Sequence, residues 1–178
     1  MQFVRSKQSG VALFISLVLL LVLTIAGVSA VQTTTLEERM ARNSHDSMMA
    51  FQSAESALRQ AENWLEANIN SVAGFTNAGT NGLWTTAQFA EDDRWLDDAV
   101  WTGNTSVVVA AAVPDVAQQP RYIIEWLATV QRSNNSAMLG SSYQSVFDRI
   151  EVFRVTARGV GGTANSEVLL QSTYGMVF

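Results

Sequence analysis

The stretch VALFISLVLLLVLTIAGVSAV, Val11 to Val31, decides how the rest of the chain is read. It is almost wholly apolar, and no charged side chain occurs from Gln8 to Leu36. As a helix rising 1.5 Å per residue, about 21 residues cover about 32 Å, close to the roughly 30 Å hydrocarbon thickness of a bilayer. Its polar interruptions, Ser16, Thr24 and Ser29, can bond back to their own helix. Arg5 and Lys7 precede the stretch and Glu37 and Glu38 follow it, so the positive-inside rule leaves the N-terminus in the cytoplasm and exports the remainder. A secretory signal peptide is the rival reading, because Val28-Ser29-Ala30 has the small-x-small pattern of a cleavage site. The apolar run exceeds the roughly 7 to 15 residues of a signal-peptide core and the sequence beyond it stays helical, which favours a retained anchor.

The helix is expected to continue past the membrane. No proline occurs before Pro114, and Gly27 is the only glycine between Val11 and Ala73. Ser44, Phe51, Leu58 and Leu65 recur every seventh residue, with Met40, Ser47, Ala54, Ala61 and Asn68 as a companion row. One helix from Val11 to about Ile69 would be about 88 Å long. Packing of its second half on a sheet is assigned to Phe51, Ala54, Leu58, Ala61 and Leu65, with Trp64 beside them. Two alanines and two polar residues in the companion row suit close approach of a sheet better than a coiled-coil seam. Glu55 and Arg59 form an i,i+4 pair, and Glu62 and Glu66 are placed on the solvated side.

After Ile69 the segment NSVAGFTNAGTNGLW is rich in Gly, Asn and Thr and reads as a loop. The acidic run Glu91, Asp92, Asp93, Asp97 and Asp98 lacks the alternating oxygen ligands and central glycine of a calcium loop, so it reads as a solvated turn or short helix. Strand periodicity then takes over. Ser106 to Val113 and Arg121 to Val130 are separated by Pro114 and Pro120, which suit a turn and an edge. Arg149 to Arg158, the turn GVGGTAN and SEVLLQSTYGMVF form a C-terminal hairpin, with Val168, Leu170, Ser172, Tyr174 and Met176 on one face. GVGGTAN is no phosphate loop, since it precedes a strand and lacks the Lys-Ser/Thr ending.

The 178 residues carry 16 acidic and 11 basic side chains, a formal charge of -5, so no domain-wide cationic surface exists for nucleic acid. Without cysteine there is no disulfide, thiolate metal site or cysteine nucleophile, and a single histidine excludes a multi-histidine metal cluster. Ser44, His45 and Asp46 are adjacent, but neighbours on a helix point about 100° apart and cannot relay a proton. Neither an enzyme nor a cofactor is implied.

The leader MQFVRSKQSG ends in Gly10 immediately before the apolar run, as a prepilin does. With the blocks TLEERMA, Thr35 to Ala41, and AFQSAE, Ala50 to Glu55, and the terminal FRVTARGVGG and LLQSTYG, the chain resembles the PilX family of type IV minor pilins. The resemblance covers roughly the first 65 and last 30 residues. It implies the α+β type IV pilin fold: leader 1–10, transmembrane and fibre-core helix 11–31, amphipathic helix 32–70, and an antiparallel β head at 71–178. It also implies cleavage by prepilin peptidase between Gly10 and Val11, N-methylation of Val11, and a membrane and fibre-core helix that includes Val11, Phe14, Ile15, Leu20, Leu23 and Ile25. The implied partners are other minor pilins, the major pilin, the inner-membrane assembly platform and, at the fibre tip, a large adhesin. The implied route is a single inner-membrane pass with a periplasmic head, followed by incorporation into a fibre at the cell surface. Two departures stand out. The fifth mature position, glutamate in most pilins, is Ile15, and the C-terminal cysteine pair of many major pilins is missing. A minor pseudopilin of type II secretion and a single-pass periplasmic binding or sensor protein are the alternatives. A partner surface is expected at the Gly/Asn-rich loop and the acidic Glu91 to Asp98 segment.

Overall fold

The computed structural model describes residues 10–86, 93–132 and 148–177. Helix α1 spans Val11–Asn68 without interruption, as expected of a segment with no proline and one glycine. Contacts divide the chain into two units between Ser44 and His45. In the first unit, the large apolar side chains from Val11 to Val31 are 41–76% exposed. Hydroxyls along it are satisfied within the helix: Ser16 donates to Leu13 O at 2.8 Å and Thr24 to Leu21 O at 2.7 Å. Thr33, Thr34 and Thr35 likewise donate to the carbonyls of Ser29, Ala30 and Val31. A polar group that bonds its own backbone is compatible with an apolar solvent.

The second unit is built on a sheet in the order β1-β3-β4-β5, with β2 also paired to β3. The strands are β1 Leu83–Thr85, β2 Val107–Val108, β3 Arg121–Arg132, β4 Asp148–Val160 and β5 Glu167–Val177. The three long strands run antiparallel, whereas β1 pairs with Ile124 to Trp126 in parallel, so the sheet is mixed where an antiparallel one was expected. The strand expected over Ser106 to Val113 shrinks to Val107–Val108, and β1 begins at the end of the segment that reads as a loop. Pairing explains both. A three-residue strand gains its ladder from β3 and needs no alternating pattern of its own, while the alanines after Val109 offer no side chains to hold a face.

Alternation along the long strands separates two faces. Tyr122, Ile124, Phe153, Val155 and Ala157 point to α1 and form the main core with Ala57, Ala61, Leu65, Phe75, Leu83 and Val109. Ile123 faces the opposite side, where Trp84, Val100 and Trp101 build a second cluster with Trp95 and Leu169. That side is covered by two 3-10 turns, Arg94–Leu96 and Asp98–Trp101.

Candidate functional site

The helical face that meets the sheet is a row of small side chains. Ala50, Ser53, Ala54, Ala57, Ala61 and Leu65 are the fully buried residues of α1. Ala54, Ala61 and Leu65 thus lie in the core and Leu58 packs half-buried against it, but Phe51, expected in the same row, is 46% exposed, and Ser44 and Ser47 are also exposed. Strand β4 supplies the reason. A Cβ on Gly159 would overlap Ala50 O, Ala54 N and Ser53 Oγ, so the strand backbone lies directly on the helix backbone. Only alanine and serine fit there, and the helix is rotated to present them, which turns Phe51 and Met48 outward. The signal was in the sequence as Ala/Ser at 50, 53, 54, 57 and 61, opposite a strand that carries Gly159 one residue before its end. A hydrophobicity pattern passes over it, because alanine carries little apolar area.

Polar links tie the C-terminal hairpin to α1. Asp46, next to the exposed His45, accepts the backbone N–H of Thr163 at 3.0 Å and its hydroxyl. The hydroxyl bond first, then the backbone bonds of the turn, hold the Asp46 carboxyl below the usual carboxylate range. Glu62 accepts the hydroxyl of Ser172 at 2.6 Å and Glu66 that of Tyr174; Glu66 is exposed, as expected, and Glu62 half-buried, and the two carboxylates also receive two donors from β5. The Glu66 bond and neighbouring carboxylates raise the Tyr174 phenol. On the other flank, Gln60 accepts Ala110 N–H at 3.0 Å.

The outer cluster is held by stacked cations. Arg154 lies 4.0 Å over the Trp95 ring and donates at 2.9 Å to Glu125, which is fully buried. Arg94 lies 4.6 Å over Trp84, and Arg158 lies 5.9 Å over Trp101 while pairing with Glu167 at 2.7 Å. These contacts bring the two segments named as a partner surface together. Asn77 of the Gly/Asn-rich loop lines one cleft of about 700 Å³ with Trp84, Asp93, Leu96 and Asp97. Asp97 also caps the second 3-10 turn, accepting Ala99 N–H at 2.9 Å; Glu91 and Asp92 lie outside the described residues.

At the other end of the chain, Gly10 is exposed with open space where a Cβ would stand, and its carbonyl accepts Phe14 N–H at 3.2 Å, so α1 begins at Val11. Val11, Phe14, Ile15, Leu20, Leu23 and Ile25 are between 53% and 67% exposed, and among the described residues of the first unit nothing packs over them. The helix is long and apolar enough to cross a membrane.

A family model described as type IV pilus assembly protein PilX, C-terminal, matches residues 37–176, and the PilX N-terminal model matches residues 9–59. The chain belongs to the PilX family of type IV pilus assembly proteins. Together the two matches run from the residue before Gly10 through α1 and the sheet as far as Met176, so the membership covers both the apolar helix and the head. Among curated proteins and solved structures, no match was found. Type IV pilus assembly is a structural task, and a PilX-family protein works among other pilins. The small-residue face of α1 and the mixed sheet are this chain's version of the α+β pilin architecture.

Proposed function

We propose that this chain is a minor pilin that helps initiate type IV pilus assembly, in a priming complex with other minor pilins at the fibre tip. The observation that carries the reading is the uncharged start of α1: the helix opens at Val11, directly after Gly10, and Ile15 stands where most pilins carry glutamate. Prepilin peptidase cuts between Gly10 and Val11, the new terminus is methylated, and the anchor stays on the mature protein with its head in the periplasm. A glutamate in lipid is costly unless it meets a positive partner. A subunit with Ile15 avoids that cost and makes no such pairing with a neighbour's terminus, which suits an end position better than repeated placement along the shaft. When the subunit leaves the bilayer, the exposed apolar residues of α1 exchange lipid for neighbouring helices, a transfer between two apolar surroundings that changes little in free energy.

Mass spectrometry of the mature N-terminus from the membrane fraction tests the reading, with and without Gly10→Ala. The expected result is a methylated Val11 that disappears in the variant; an intact Met1 or a start at Val31 overturns it. Deleting the chain should remove pili and leave secreted enzymes unchanged, whereas the reverse favours a type II secretion pseudopilin.

A further inference from the structure

Strand β5 ends the sheet, and among the described residues no strand or bridge lies on its far side. Its register with β4 pairs Val160 with Glu167 through to Ile150 with Val177, and the turn is closed by Gly161 N–H donating to Ser166 O at 2.9 Å. Because bonded and non-bonded pairs alternate in an antiparallel ladder, the even residues from Val168 to Met176 bond to β4. Leu169, Gln171, Thr173 and Gly175 then direct their N–H and C=O groups outward, a row of four free donors and four free acceptors. Edges of this length are normally defended by charge, proline or a bulge. From Val168 to Val177 there is no charged residue and no proline, and the register runs without a break.

The surroundings select the occupant. Glu62 and Glu66 of α1 reach β5 through Ser172 and Tyr174, so their carboxylates stand beside the strand on the helical side of the sheet. A strand added about 4.8 Å beyond β5 lays its helix-side residues next to those carboxylates. A second copy pairing through its own β5 would bring two such acidic sets together, which like-charge repulsion opposes. We infer that the free edge of β5 receives an extended segment of a partner protein, alternating apolar residues with Lys or Arg, by strand addition. The inference does not depend on a tip position or on pilus priming.

Selection of decapeptides from a random display library on the full chain in detergent micelles tests it. Selected sequences should alternate apolar and basic residues. The best synthetic peptide should lose at least tenfold in affinity for Thr173→Pro, which deletes an outward N–H at an edge site where proline is tolerated, and keep it for Thr173→Val. N-methylation of alternate amides in the peptide should abolish binding in one phase of alternation only. Equal affinity for a normally melting Thr173→Pro variant, selected sequences that are acidic or lack alternation, failure to select any binder, or a dimer in sedimentation that Thr173→Pro dissolves would each overturn the proposal; the last would assign the edge to a second copy.

Discussion

Gly159 and Asp46 each hold the helix and the hairpin together, by different physics. At Gly159 the contact is steric, strand backbone against helix backbone, and any Cβ must displace Ala50, Ser53 or Ala54. Gly159→Ala should therefore destabilise the head by about 1–3 kcal/mol, the usual cost of overpacking, read as a lower melting temperature of the full chain in micelles. Asp46 works by charge. Its folded carboxyl is held below the ordinary value near 3.9, so the ionised form contributes stability above that pH, and the contribution is lost as pH falls through the folded value. Thr163→Val should lower the melting temperature at pH 7, and the gap from the wild type should close below about pH 4. A gap that is constant with pH would show that the hydroxyl contributes by packing alone. Neither donor to Asp46 could be inferred from the residues around it, since both belong to Thr163, 117 positions away.

Within single elements, alternation and its one violation explain the buried carboxylates. Along β3 the register shifts between Trp126 and Ala128, and the extra residue puts Trp126 and Thr129 on the same face although their spacing is odd. Both then donate to Glu151 Oε2, at 2.8 and 2.7 Å, and satisfy a carboxylate that is only 8% exposed. On the opposite face Glu125 depends on Arg154, whose side chain is 23% exposed and stacked on Trp95. Arg154→Met leaves a buried carboxylate without its cation and should cost about 3 kcal/mol, whereas Glu125→Leu with Arg154→Met should recover most of it, since an apolar pair often replaces a buried ion pair without loss. Thermal denaturation of the two variants measures the difference. The acidic segment was legible as a turn, but its covering role was not, because the tryptophans and arginines that fix it are contributed by β1, β4 and the 3-10 turns.

For the whole molecule the exposed surfaces matter more than the core. Phe51 and Met48 stand out from α1 and add nothing to the head's interior, so Phe51→Ser should change stability by less than about 0.5 kcal/mol, the normal range for surface positions. If the proposed end position is right, the labelled chain should be counted at about one per pilus by quantitative mass spectrometry, and Ile15→Glu should raise that number by letting the subunit meet neighbouring termini. A wild-type count that scales with pilus length would place the subunit along the shaft.

The residues alone determined an apolar run long enough to cross a membrane, the unbroken helix and the C-terminal hairpin. Each rests on local physics: apolar length against bilayer thickness, the absence of helix breakers, and strict alternation around a glycine-rich turn. Tertiary structure decided which face of α1 is buried, that β1 adds in parallel, and that Glu62, Glu66 and Asp46 take their donors from the hairpin. These depend on contacts between segments far apart in the chain. A row of alanines becomes the buried face only where Gly159 lets a strand approach closely enough to prefer it over Phe51.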